Sequence, residues 1–338
     1  MKKTVRTSVM VVIMVAALFI AKPVTAEPAL IDLGTLGGNE AIAFDINNNS
    51  QVVGRSQIAD GQIHAFVWEN DTMTDLGTAD GYFRDYIVAN AINDSGQVVG
   101  VGFTGTTQRG FLWQNSTMTI LPSLWIGSTS AEDINNQGSV VGSSQVFPGD
   151  THAFLYKNGE MMDLGTLGGR NSVAYAINDD EVIVGSSETS SGETHATIWQ
   201  NGQIIDLGTL GGNYSFARGI NSGGHVAGSS TRRSGVTHAF LWTGSEMIDL
   251  QKDQIGSNNQ NKIFGIATDI NDADQVVGQG QFMKRQDTRA FIWENGVITD
   301  LGTLGGSIGS AEGINQIGQV VGFSSTSTGV YHAFLWTR

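Results

Sequence analysis

Asp163-Leu164-Gly165-Thr166-Leu167-Gly168-Gly169 recurs as Asp206 to Gly212, as Asp300 to Gly306 and, near the start of the chain, as Asp32 to Gly38. Working outward from it, three further signatures keep step. An Ile-Asn pair follows, with its Asn at 47, 93, 135, 178, 221, 271 and 315. A Val-Val-Gly type segment comes next, ending at Gly54, Gly100, Gly142, Gly185, Gly228, Gly278 and Gly322. A His-Ala-Phe-Leu-Trp type segment closes the period, its last aromatic being Trp68, Trp113, Tyr156, Trp199, Trp242, Trp293 or Trp336. The steps between those aromatics are 45, 43, 43, 43, 51 and 43 residues, which makes seven units with no remainder. Self-similarity at this spacing is the mark of a repeat architecture, in which a unit buries its faces only against its neighbours.

Each unit reads as four short strands. In the fourth, Ser172 to Asn178 is rich in small residues, Val182 to Ser186 is β-branched, His195 to Trp199 alternates large and small, and Gln203 to Leu207 ends the unit. Asn201-Gly202, repeated as Asn158-Gly159 and Asn295-Gly296, is a strong two-residue hairpin signal between the third and fourth strands. Helical periodicity appears nowhere after residue 26. Units of this size with four antiparallel strands match the blades of a β-propeller. The small residues Ala174, Ala176, Ala217 and Gly219 suit a first strand nearest the axis, where blades converge. The phase of the ends favours a ring. Arg338 follows a third strand, while Ala29-Leu30-Ile31-Asp32-Leu33 is a fourth strand without its first three. The expectation is an all-β, seven-bladed β-propeller of four-stranded antiparallel blades, closed by the N-terminal strand completing the last blade.

Residues 1–26 read as a signal peptide: Lys2, Lys3 and Arg6, an apolar run from Val9 to Ala21, then Val24-Thr25-Ala26 before the cleavage site. That run is shorter than the roughly 20 residues a membrane span needs, so no stable membrane insertion is expected after cleavage. The remainder, 27–338, reads as a single domain, secreted to the periplasm or beyond the cell. Loss of the four cations of the leader moves the formal charge from −14 to −18, and a chain this acidic without a basic stripe disfavours nucleic acid as a partner. There is no Cys, so stability rests on packing rather than disulfides.

Together these signatures resemble the HAF-repeat family of bacterial extracellular proteins. The likeness is intact at His64-Ala65-Phe66, His152-Ala153-Phe154, His238-Ala239-Phe240 and His332-Ala333-Phe334, and departs at Arg109-Gly110-Phe111, His195-Ala196-Thr197 and Arg289-Ala290-Phe291. The resemblance implies an exported repeat protein and no particular reaction.

Each chemical motif has a structural reading beside it. The five His of the third strand recur one per unit on a wide ring, whereas zinc ligands converge to about 2 Å from the ion; a hydrogen-bond donor that Arg109 and Arg289 can replace fits better. Asp45-Ile46-Asn47-Asn48-Asn49 spaces oxygens as calcium loops do. It lacks the later carboxylate, and Asn221-Ser222-Gly223-Gly224 carries no acid at all, so a structural turn is expected. Gly-Thr-Leu-Gly-Gly lacks the Lys and the following helix of a phosphate loop. No nucleophile elbow, zinc-protease motif or Cys nucleophile is present, so no catalytic residue, metal or cofactor is assigned.

Function is sought where the repeat varies. Glu132 and Glu312 share a variable slot of the first strand with Phe44, Asn90, Tyr175, Arg218 and Thr268. Trp125 alone among seven Trp falls outside the third-strand slot, in Leu121 to Gly127, which replaces a Gly-Thr-Leu-Gly-Gly turn. The unit before replaces that turn with Ala79 to Tyr86, and the sixth unit with Gln251 to Phe264. These loops are expected on one face. The candidate ligand-binding set is Trp125, Tyr82, Arg84, Asp85, Tyr86, Arg218, Glu132 and Glu312; the alternative role of the aromatics is to plug the ends of wedge-shaped blades. The leading expectation is a monomeric binding module for a glycan or a protein. A carbohydrate-active hydrolase or lyase using carboxylates at the channel mouth, and a structural envelope protein, are the alternatives.

Overall fold

The computed structural model describes residues 28–84, 86–251, 263–282 and 287–338. The expected signal peptide, Asp85 and most of the loop from Gln251 to Phe264 lie outside the described residues. Among those described there is no helix; the fold is all-β. The strands form five separate four-stranded antiparallel sheets and one of eight strands. The larger sheet consists of units 4 and 5, joined by a single parallel bridge between Thr194 and Tyr214.

Unit 4 shows how the sequence builds one sheet. Its strands are Gly168–Ile177, Ile183–Thr189, Thr194–Gln200 and Gln203–Asp206. The first strand starts earlier than its small-residue run suggests, because Gly168 already pairs with Thr189 of the second strand. The Asn201-Gly202 turn has φ of 53° and 73°, the left-handed pair that matches the twist of two flanking strands. Asn158-Gly159 and Asn295-Gly296 do the same.

The core lies between sheets. Phe66, Phe111, Phe154, Phe240, Phe291 and Phe334 of the third strands are fully buried, with Thr197 in the same position of unit 4. Successive units interlock. Phe240 of unit 5 packs with Ala196 and Ile198 of unit 4, and Phe334 of unit 7 with Ala290 and Ile292 of unit 6. Full burial of an aromatic side chain contributes about 1.5–3 kcal/mol relative to exposure.

Two features tie the ends of the chain together. Strand Ala29–Asp32 pairs antiparallel with Tyr331–Thr337, placing Ile31 opposite Leu335. The Asn of each Ile-Asn pair donates from Nδ2 to the backbone carbonyl of the Asn one unit on: Asn47 to Asn93 at 3.0 Å, Asn178 to Asn221 at 3.1 Å, and Asn315 back to Asn47 at 3.1 Å. The remaining four links are alike. Each Asn also accepts from its own turn; Asn178 Oδ1 takes the backbone N–H of Asp180 and Val182. The turn weighed as a calcium loop therefore spends its amide groups on the backbone.

Candidate functional site

The glycine of the Val-Val-Gly segment explains how a variable side chain reaches the centre. A Cβ on Gly185 would lie 1.9 Å from the carbonyl of Val173 on the first strand, and on Gly54 or Gly228 it would lie 2.0 Å from the equivalent oxygen. No side chain fits there. The close approach accompanies a β-bulge in every first strand: Ala174 pairs with Gly185, Ala176 with Val184, and Tyr175 has no partner. A bulge inserts one unpaired residue and re-aims its side chain. The skipped residues are Phe44, Asn90, Glu132, Tyr175, Arg218, Thr268 and Glu312. These are the seven members of the variable slot, and all seven line one cavity of about 380 Å³, within the ordinary range for small-molecule sites.

Within that cavity, the guanidinium of Arg218 stacks over the ring of Tyr175 at 4.2 Å from its centroid and approaches Phe216 at 5.8 Å. Arg218 is exposed to the cavity and has no hydrogen-bond or ion-pair partner among the described residues, leaving its planar fork of donors open. Glu132 and Glu312 are held in the same way. Ser130 donates to Glu132 at 2.6 Å and Ser310 to Glu312 at 2.5 Å, each from a Ser-Ala-Glu triplet. Asn90 adds a long contact to Glu132 at 3.4 Å. Burial pushes both carboxyls above the usual carboxylate range, against the serine hydrogen bonds and the field of Arg218 that pull them down.

A second set of acids follows the bulge directly. Asp45, Asp133 and Asp269 each accept two backbone N–H groups, one from the next residue and one from the neighbouring unit: Ile92, Ile177 and Ile314 respectively, at 2.8–2.9 Å. All three residues are half-buried and border the cavity. Burial raises their carboxyls to about 6, 7 and 8, reinforced by the charge of Asp94 at Asp45 and by that of Asp45 at Asp133 and Asp269. Sequence reading missed their role as clasps between units. The signal was present in Asp at 45, 133 and 269 where other units carry Ala91, Ala176, Gly219 or Gly313. Among the described residues no group of three or more His, Asp or Glu is arranged to hold a metal ion.

The third-strand His face the fourth strand, as a structural donor would. Nδ1 of His64, His152, His195, His238 and His332 lies 2.7–3.0 Å from Asp75, Asp163, Asp206, Asp249 and Asp32. In the same slot, Arg109 donates to the Gly127 carbonyl, and Arg289 contacts Asp287 and Thr303.

The loop residues fall into distinct places. Phe83, not singled out from sequence, plugs unit 2: it is buried, packs on Phe111 and fills the space over Gly102. Tyr82 meets Phe83 edge-on at 5.3 Å and stays 46% exposed. Arg84 is exposed beside Gly105. Tyr86 packs against Phe103 at 5.5 Å, with Arg55 over its ring at 5.6 Å. Trp125 is 56% exposed and pairs with Phe147, 74% exposed, at 6.0 Å between centroids. Trp125 therefore does not plug the end of unit 3. Leu124 takes the structural part of that loop. Its N–H binds Ser144 Oγ at 3.0 Å, as Leu167 binds Ser187 at 2.8 Å in a regular turn. The structure thus gathers Arg218, Glu132 and Glu312 into one cavity. Tyr86 lies in an adjoining hollow, while Tyr82, Arg84 and Trp125 stand outside the cavity.

No family model matches the chain, and no curated protein does. Among solved structures it is similar to an acylaminoacyl peptidase of Pyrococcus horikoshii, with a TM-score of 0.56 and 13% identity over 88% of this chain. The chain spans about half the length of that protein, 51%, and the likeness is one of fold alone. Weaker similarities include the BP39L lectin of Burkholderia pseudomallei, with a TM-score of 0.45 and 9% identity, covering 89% of this chain and 98% of the lectin. The lectin of Aleuria aurantia gives 0.40 and 11%, covering 81% of this chain and all of that one.

Proposed function

We propose that the seven units close into a seven-bladed β-propeller, exported from a bacterium as a HAF-repeat protein, and that it is a binding module whose ligand enters the central channel. The pairing of Ala29–Asp32 with the last third strand and the return of the Asn bonds from Asn315 to Asn47 support closure. On that reading the bulge residues form a ring in which units 3, 5 and 7 contribute Glu132, Arg218 and Glu312.

The observation that carries the binding reading is Arg218. An uncommitted guanidinium, pre-set on Tyr175 and facing two serine-held carboxyls, presents donors and acceptors in fixed directions beside the aromatic face of Phe44. Such a set recognises a polyhydroxylated ligand: hydroxyls satisfy both kinds of partner, and the aromatic face takes an apolar ring surface. A glycan array on the mature protein tests this. Binding is expected, and Arg218→Met should remove it while leaving the thermal transition in place. Binding that survives Arg218→Met refutes the assignment.

A second reading has one specific observation behind it. Glu132 and Glu312 sit in one cavity with raised carboxyls, the condition for a general acid in glycoside cleavage. It requires turnover of a bound glycan that Glu132→Gln or Glu312→Gln abolishes; bound glycan recovered intact after long incubation leaves the binding module.

A further inference from the structure

The channel mouth is not symmetric. In units 1, 4, 5 and 7 the first strand has 10 residues, whereas in units 2 and 3 it is only Ile87–Ile92 and Thr129–Ile134, 6 residues each. The cause lies in the turns. Once Leu167 is fixed on Ser187, Gly168 and Gly169 lie flat across the second strand, so close that a Cβ on Gly169 would stand 2.4 Å from Glu188. In unit 3 Leu124 is fixed in the same way, but Trp125 and Ile126 are inserted before Gly127, which takes the close position on the second strand, where a Cβ would stand 2.1 Å from Gln145 Oε1. Ser128 accepts the Gln145 N–H at 2.9 Å and the strand proper begins at Thr129. In unit 2 Phe83 occupies the equivalent space over Gly102.

Two hollows lie beside these shorter strands. One, of about 630 Å³, shares Phe44, Asn90 and Glu132 with the central cavity and adds Tyr86, Phe103 and Gln108. The next, of about 310 Å³, shares Gln108 and Ser130 with the first and continues over Ser128, Ser143, Gln145 and Thr151. The segments carrying Ser128 and Gln145 run on into the loops of Trp125 and Phe147. The result is one groove from Arg218 outward across units 2 and 3, with an exposed aromatic pair beyond its outer end.

We propose that this groove holds a linear, neutral oligosaccharide, with one end in the channel mouth and successive sugars laid over units 2 and 3. This rests on the binding-module reading and adds the length and charge of the ligand. Between Glu132 and Thr151 the lining is amide, hydroxyl and aromatic with two valines, Val88 and Val101, and among the described residues no Lys or Arg contributes to either hollow. A phosphate polymer needs cations along its track. A peptide would use the two valines and the free edges of the first strands, and is the competing outcome of the test below. Hydroxyls and amides flanked by aromatic faces suit a chain of sugar rings, and a chain gains affinity with each ring seated.

The test is calorimetry on the mature protein with β-1,4-linked glucose and β-1,4-linked N-acetylglucosamine oligomers from disaccharide to hexasaccharide, with polyphosphate and a random peptide pool alongside. At least one series should gain 10-fold or more in affinity from disaccharide to hexasaccharide. Tyr86→Ala and Gln145→Ala should bring the hexasaccharide down to the disaccharide value. Because the chain has no Cys, Gln108→Cys carrying a fluorophore gives a second readout, responding to the hexasaccharide more than to the disaccharide. Affinity that depends on Arg218 but not on chain length overturns the extended groove and leaves the channel site. Binding that persists in Arg218→Met overturns the channel site itself. Binding of polyphosphate or peptide in place of every oligosaccharide, or of nothing at all, overturns the sugar assignment.

Discussion

Two layers of side chains, three residues apart along every first strand, follow opposite rules. At the Ile-Asn turn all seven positions carry Asn, and each makes the same bond to its neighbour. At the bulge the seven positions carry Phe, Asn, Glu, Tyr, Arg, Thr and Glu. Uniformity marks the layer where each unit depends on the next. Variety marks the layer where the bulge has released a side chain from pairing. A repeat protein can thus change its site without touching its joints, and the two layers should respond to substitution very differently.

The largest effect is expected at the glycine that permits the bulge. Gly185→Val places atoms within 2 Å of a carbonyl on the neighbouring strand. It should cost more than about 4 kcal/mol, the range reserved for overpacking and strain, or abolish soluble protein. Gly202→Ala, at a turn with φ of 73° and open space around it, should cost about 1 kcal/mol. Equal costs in urea denaturation would break the argument that the close approach is what matters.

Next come the Asn joints. Asn221→Ala removes the acceptor of the His225 N–H and the two bonds that Nδ2 donates to the Asn271 carbonyl and Asp274, leaving an N–H and a carbonyl unmet; about 2–3 kcal/mol of destabilisation is expected. The same substitution at the bulge layer, Asn90→Ala, should cost less than half as much in the same denaturation experiment.

The acids beside the bulge give the comparison a pH axis. Asp45, Asp133 and Asp269 bind their protons more tightly folded than unfolded, so the folded state holds more protons than the unfolded chain between about pH 4 and pH 8. Their contribution is fully present below pH 4 and is lost as pH rises through 6 to 8. The melting temperature should therefore fall between pH 5 and pH 8. Asp269→Asn should be less stable than the parent at pH 5, having lost one acceptor, yet show a shallower decline with pH. A decline unchanged in that variant would remove Asp269 as its source.

The smallest effect on stability is expected at the site itself. Arg218→Met and Glu132→Gln should shift unfolding by no more than about 0.5 kcal/mol, while ligand binding by Arg218→Met is lost. A large loss of stability in Arg218→Met would mean the bulge layer is structural after all.

Much of this was readable in the chain. Strand order, the Asn-Gly hairpins and the donor role of His64 and its counterparts follow from local pattern, because hairpin chemistry and alternation act within a few residues. The membership of the variable slot was readable too, since it needs only alignment of the units. What was hidden depends on contacts between strands. The bulge that turns Arg218, Glu132 and Glu312 into one cavity is a matter of register against the second strand, and no pattern within the first reveals it. Phe83 and Tyr82 are neighbours of similar chemistry, and only packing over Gly102 chooses between them. Phe147 joins Trp125 from a loop 22 residues away, and the Asp45, Asp133 and Asp269 clasps reach across to a different unit.

The pairing of Ala29–Asp32 with Tyr331–Thr337 has a consequence for how the chain folds. Every other sheet is assembled from strands adjacent in sequence, whereas this one must wait until segments 300 residues apart meet, as the His332–Asp32 contact requires. Closing so long a loop is entropically costly and slow. The four-residue seam should therefore be the last element to gain protection from hydrogen exchange and the first to lose it, so that unfolding starts where the two ends of the chain meet.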